Sequence, residues 1–208
     1  MKTIYLVRHG QTNANVTQTF QGPEETLSEA GEKQAFRLAE RLQNLDFEKI
    51  IASDYVRTCQ TAEPIRQLID VPFETSEFFR EEKTPTSWLG TTEMDVRGLQ
   101  FAEDMIEKSD DSSWRVEDAE NTQDIFVRIE KSLQLLKNDS AEHILVVSHG
   151  NFLKQLLAYV LLDSKGSLKE IASFKRTVKT TNTGISVIVF DKGRWRVLTW
   201  NDHAHFAE

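Results

Sequence analysis

Hydrophobic and polar positions along this chain follow two periods, one of strands and one of helices. The first apolar run, residues 3–7 (TIYLV), is β-branched and aromatic and predicts a buried strand. It stops at Arg8, His9 and Gly10. Residues 26–45 then place Ala35, Leu38, Leu42 and Leu45 on one helical stripe, with Thr26 or Ser28 available as N-cap. A strand over Lys49–Ala52, a turn at Ser53 and Asp54, and a helix to about Leu68 follow, and residues 71–75 (VPFET) read as another short strand. Ile125, Ile129, Leu133 and Leu136 restore a helical stripe, capped by Asn121 or Thr122. Residues 144–147 predict an apolar strand, followed by a Ser-His-Gly turn and a helix. GISVIVF, the turn at Asp191, Lys192 and Gly193, and RWRVLTW form the clearest hairpin.

Alternating strands and helices predict an α/β fold: a three-layer α/β/α sandwich on a mostly parallel sheet, with a C-terminal antiparallel hairpin. At 208 residues the chain suits a single domain, 1–208. Periodicity is weak at about 80–121, where Pro85, Gly90 and Gly98 mix with Trp88, Met94, Phe101, Met105 and Trp114, and it returns only in EDMIEK (103–108). This stretch predicts an insertion with one or two short helices, covering a site. Trp88, Met94 and Trp114 suit either the cover or its packing.

A hydrophobic content of 39%, a charged content of 28% and a formal charge of −8 narrow the functional classes. The acidic balance opposes nucleic acid and anionic membrane, and no basic stripe offsets it. Lys175 and Arg176, with Lys179, suit a solvated face or a local anion contact. The single cysteine, Cys59, excludes an internal disulfide and a cysteine-based zinc site, and reads as a packing residue in a reducing compartment. No run reaches membrane-spanning length and no signal peptide is evident, so a cytoplasmic location is expected.

Three strand-to-helix junctions carry unusual chemistry: Arg8-His9-Gly10, Ser53 with Arg57, and Ser148-His149-Gly150. In a parallel sheet such junctions share one edge, where ligands bind. Two guanidinium forks, two imidazoles, close-approach glycines and helix N-termini suit a tetrahedral dianion.

LVRHGQT with Asn15, then LSEAG, SDYVRTCQTA and VVSHGN, in this order and at this spacing, resemble the histidine phosphatase superfamily, also called the phosphoglycerate mutase-like family. The resemblance implies phosphomonoester hydrolysis through a phosphohistidine on His9. Arg8, Arg57, Asn15, Gly150 and a protonated His149 would hold the phosphoryl group. It implies no metal and no cofactor, and a small phosphorylated substrate as partner. In FFREEKTP it points to Glu81 as the acid that serves the leaving oxygen and then activates water, with Glu82 as rival. Glu120, Asn121 and Arg128 resemble a further family segment, with Ala119 replacing its glycine, although a helix cap explains Asn121 equally.

Asp54 and Tyr55 stand where the family more often has Pro and Leu, and Glu24 and Glu25 alter the segment before TLSEAG. His203 and His205 resemble a common ending of the bacterial phosphatase branch, or form a surface tail. The longer segments of cofactor-dependent mutases are missing, which favours hydrolysis over mutase-type transfer. A phospholigand-binding module without turnover is a third reading. A metal hydrolase is disfavoured because no H-x-H or H-E-x-x-H pair occurs.

Overall fold

A computed structural model describes residues 1–162 and 166–206. Six strands form one sheet: β1 (Lys2–Arg8), β2 (Lys49–Ala52), β3 (Phe73–Thr75), β4 (His143–Ser148), β5 (Ile185–Asp191) and β6 (Arg194–Asp202). Their order is β3-β2-β4-β1-β5-β6. The first four are mutually parallel, and β5 runs antiparallel to β1 and to β6. The expected fold class is therefore the one observed.

Strand alternation sends side chains to two separate cores. Ile4, Leu6, Ile144, Val146 and Ile188 pack with α5 (Thr122–Asn138), α6 (Gly150–Leu161) and the 80–121 segment. Val7, Leu145, Val147, Ile50 and Ala52 pack with α2 (Glu29–Leu42) and α3 (Val56–Leu68) on the opposite face. Ser28 caps α2 by accepting from Gly31 N, and Asn121 caps α5 by accepting from Asp124 N, which resolves both pairs of candidate caps. No helix among the described residues is long and apolar enough to cross a membrane.

Four details differ from the sequence expectation. The α2 stripe ends at Leu42: the chain turns there, Leu45 faces solvent, and Phe47 enters the core. α1 (Asn13–Thr17) is a one-turn helix with a Thr12–Asn15 capping box. In the 80–121 segment a helix, α4 (Val96–Glu107), starts at the Asp95 cap, well before EDMIEK. Its pattern is hidden because Val96 and Leu99 are exposed while Phe101, Met105 and Ile106 are buried. Finally, α7 (Leu168–Phe174) packs Ile171 against Phe126 and Ala158.

Trp88 lies against Phe20 and Phe101, and Trp114 stacks on Phe101, so both tryptophans are packing residues. Met94 is exposed and lines the cleft described below.

Candidate active site

Because β1, β2 and β4 are parallel, Arg8, Ser53 and Ser148 reach the same sheet edge. Antiparallel β5 begins at that edge, so residues 180–184 arrive there too. Their hydrogen bonds tie the rim together: Thr183 N donates to Arg8 O at 2.8 Å, and Asn182 Nδ2 donates to His9 O at 2.9 Å.

His9 is almost fully buried, and its tautomer follows from its neighbours. Its Nδ1 lies 2.7 Å from Gly10 O, an atom that only accepts, so Nδ1 carries the proton. Arg57 Nε, which only donates, lies 3.3 Å from Nε2, so Nε2 presents a lone pair. Arg57 is 1% exposed, and its Nη1 also donates to Gly22 O at 2.8 Å. Burial first, then the charges of Arg57 and Arg8, pushes the His9 imidazole well below its usual pKa.

The His149 ring centroid is 5.2 Å from that of His9. His149 Nε2 meets Ser53 Oγ at 2.9 Å, and Nδ1 is buried without a partner. Burial, then Arg57 and His9, depresses this imidazole strongly as well. Burial first, then those charges, thus favours the neutral imidazole at His149 over the protonated form that the family resemblance implies.

Arg8 donates through Nη1 to Thr180 O at 2.6 Å, while Arg8 Nε and Thr180 Oγ1 are buried and unpaired. A Cβ added at Gly150 would stand 3.2 Å from Arg8 Nε and 3.4 Å from Thr180 Oγ1. Gly150 therefore opens a cradle beside two orphaned polar atoms, Arg8 Nε and Thr180 Oγ1. Buried polar groups normally find partners, so such a cluster marks a ligand site. Asn15 lines the same cleft; its Oδ1 accepts from Thr12 N and Asn182 Nδ2, which leaves its own Nδ2 for a ligand.

The two adjacent glutamates occupy different surroundings. Glu82 is 7% exposed and held by Lys175 Nζ at 2.9 Å and Gln155 Nε2 at 3.0 Å, so its charge is already matched. Glu81 accepts from Phe152 N at 2.8 Å and Asn151 N at 3.1 Å, at the start of α6 beside the cradle. The loop bearing it is clamped at four successive carbonyls. Ser148 Oγ holds Phe79 O, and Arg128 reaches Phe78 O, Arg80 O and Glu81 O while paired to Glu120 at 2.7 Å.

Other sequence candidates find structural roles. Asp54 forms a two-pronged pair with Arg80 over the Tyr55 ring, which explains both departures in that loop. Cys59 is half-buried with its thiol pushed up by burial. His205 Nε2 meets Thr183 Oγ1, and His203 contacts Asn201 O; neither lines the cleft. Sequence reasoning missed Thr180, Asn182 and Lys154. The polar run TTNTG just before an antiparallel strand was the available signal, since such a strand must start at the ligand edge.

The cleft has a volume of about 440 Å³, a size suited to a small molecule. Among the described residues no group of three or more His, Cys, Asp or Glu side chains is arranged to hold a metal ion.

The two buried neutral imidazoles make stability depend on pH. Unfolded, both take protons near pH 6.5; folded, they resist to well below that, so the unfolded chain binds more protons. Stability is then full above about pH 6.5 and falls as pH drops toward the folded values, by up to about 1.4 kcal/mol per pH unit for each imidazole. Urea unfolding from pH 7.5 to 5 measures this, and a flat profile would contradict it.

Comparison with known proteins gives the arrangement its context. The histidine phosphatase superfamily (branch 1) matches residues 4–203. "Probable phosphoglycerate mutase GpmB" of Enterobacter sp. (strain 638) is 31% identical over 208 residues, covering 96% of this chain and 90% of the relative. Among solved structures, Bacillus stearothermophilus YhfR superposes with a TM-score of 0.83 at 28% identity, covering 99% of both chains. The alpha-ribazole phosphatase of Shigella flexneri shares the fold, with a TM-score of 0.76 at 22% identity and 96% coverage of both chains. With its sheet-edge histidines, buried arginines and family match over nearly its whole length, this chain belongs to the histidine phosphatase superfamily.

Proposed function

We propose that this protein hydrolyses small phosphomonoesters through a phosphohistidine on His9. The observation that carries the reading is the His9 tautomer, which presents the Nε2 lone pair beside the buried Arg57 guanidinium, with Arg8 at the same sheet edge. The lone pair attacks phosphorus, and the bond to the leaving oxygen breaks with its electron pair. Glu81 in its carboxylic form gives its proton to that oxygen. Arg57 Nε, relieved of Nε2, donates to a phosphoryl oxygen instead. Arg8 Nε, Thr180 Oγ1 and Asn15 Nδ2 supply further donors. A dianion placed among these groups favours the imidazolium of His149, so its charge appears as the phosphoryl group arrives.

In the second step the Glu81 carboxylate takes a proton from water, and the water oxygen attacks phosphorus. The P–N bond then breaks and its electrons return to Nε2. The guanidinia balance the charge of both transfers, so turnover persists in excess chelator; loss of activity in EDTA that metal restores would overturn the metal-independent scheme.

Glu81→Gln tests the proton assignment. On an alkyl phosphate, whose leaving oxygen needs a proton, kcat/KM should fall by about 10²–10⁴-fold. On p-nitrophenyl phosphate the first step should lose less, because that leaving group departs as a stable anion. Equal losses on both substrates would argue against Glu81 as the acid.

A mutase reading is favoured by the names of the relatives. Incubation with 3-phosphoglycerate, with and without 2,3-bisphosphoglycerate, separates the two. Hydrolysis predicts phosphate release; isomerisation to 2-phosphoglycerate with phosphate retained would replace the proposal.

A further inference from the structure

Residues 80–85 carry the proposed acid, yet they join neither a strand nor a helix. Backbone groups in such a segment need partners from elsewhere, and a proton donor needs a fixed place. Two side chains answer both needs. Arg128, on the second turn of α5, turns its fork toward the segment: Nη1 donates to Arg80 O and to Phe78 O at 3.4 Å, and Nη2 donates to Glu81 O at 3.2 Å. Glu120 holds the far end, where its Oε2 accepts from Lys83 N at 3.0 Å and its own N donates to Lys83 O at 3.0 Å.

The two side chains are also locked to each other. Nε and Nη2 of Arg128 donate to Glu120 Oε1 and Oε2 at 2.9 and 2.7 Å, with the side chains only 12% and 19% exposed. Each charge is matched by the other in a two-pronged geometry that a lysine cannot reproduce.

The same guanidinium reaches the acid from a second direction. Its Cζ stands 4.7 Å from the centre of the Phe152 ring, and Phe152 N is the amide that donates to Glu81 Oε1 at 2.8 Å. Arg128 thus touches both the main chain from which Glu81 departs and the residue on which its carboxylate rests. Neither Arg128 nor Glu120 lines the catalytic cleft, whereas Glu81 does. What the pair contributes to turnover must pass through Glu81.

We infer that the Arg128–Glu120 pair is a positioning unit that holds Glu81 for both proton transfers, to the leaving oxygen and from the attacking water. Without the fork three carbonyls lose this donor and the segment shifts, and a displacement of about 1 Å at a reacting group can cost about 100-fold in rate. Arg8, Asn15, Arg57 and Thr180 stand on other elements and keep their places. The inference rests on the phosphomonoester reading of the site.

The test compares Arg128→Met, Arg128→Lys and Glu120→Gln on ethyl phosphate and p-nitrophenyl phosphate, with inorganic phosphate as competitive inhibitor. Arg128→Met should lower kcat/KM on ethyl phosphate by about 10- to 100-fold and lose distinctly less on p-nitrophenyl phosphate, whose leaving group needs no proton. Inhibition by inorganic phosphate should move by less than about threefold, since the cradle is intact. Arg128→Lys keeps the charge without the fork and should rescue little, while Glu120→Gln should show a smaller loss of the same pattern. In a Glu81→Gln background Arg128→Met should cost little more, because two changes acting through one group do not multiply. Circular dichroism confirms that each variant is folded.

Equal losses on the two substrates, phosphate inhibition weakened in parallel, or losses that multiply fully in the double variant would overturn the positioning role while hydrolysis stands. Wild-type protein that releases phosphate from neither substrate would overturn the hydrolytic reading and this assignment with it.

Discussion

On the proposed mechanism His9→Ala should lower kcat/KM for any phosphomonoester the protein accepts by at least about 10⁴-fold, because it removes the group that would form the covalent intermediate. The loss should sit in kcat. Arg8, Arg57, His149 and Gly150 remain to bind phosphate, so inorganic phosphate still competes for the cleft. Labelled substrate quenched in base should leave phosphate on the wild-type protein and none on the variant, since phosphohistidine survives base and is lost in acid. A variant that retains a tenth of wild-type activity would sink the mechanism. The surroundings of His9 sharpen the expectation: with Nδ1 committed to Gly10 O and the pKa held low by burial, Arg57 and Arg8, the lone pair survives below pH 6.5. An acid limb of kcat/KM at the ordinary imidazole pKa would therefore not belong to His9.

Gly31→Ala should be the most damaging single substitution for stability. A Cβ there would stand 2.0 Å from Gln11 O, a backbone atom that cannot yield alone. The contact is mutual, since a Cβ at Gly10 would stand 2.6 Å from Gly31 O. These two glycines let the first turn of α2 press directly on the backbone that follows His9. Ser28 N donates to Gln11 O at 2.8 Å across the same seam. Opening it should cost about 3 kcal/mol or more and lower Tm by roughly 6–12 °C. Gly22→Ala is the contrast: its Cβ would meet only the Leu89 side chain at 3.4 Å, and the cost should stay under about 1 kcal/mol. Calorimetry of both variants decides, and equal melting temperatures would show that the seam relaxes easily.

The glycine of LSEAG shows what was legible in the sequence and what was not. Its place in the motif was readable, but its reason is a contact across about 20 residues that no local pattern records. Arg8, His9, Arg57 and His149 were legible because polar and glycine residues interrupt apolar strands at three junctions, and a parallel sheet must bring such junctions to one edge. Glu81 and Glu82 looked equivalent side by side; only tertiary partners separate them, since Lys175 arrives from 93 residues away. α4 was hidden because its apolar positions serve the cleft as well as the core, which blurs the helical period. Thr180 and Asn182 were missed because a threonine-asparagine run reads as a turn until the direction of β5 is known. Arg128 gave no hint that it would grip three carbonyls of the loop bearing Glu81.

The position of β1 has a consequence for how the chain must assemble. The first of the six strands in chain order is central in the sheet, yet both its neighbours, β4 and β5, begin roughly 140 residues or more later. Until then β1 has no hydrogen-bonding partner, and a chain synthesised at about 5–20 residues per second leaves it waiting for several seconds or longer. His9 thus precedes by more than 170 residues the hairpin whose docking completes the rim around it. Fragments released early would carry His9 without its cradle and present a bare apolar strand to their surroundings, which makes incomplete chains inactive and prone to aggregate.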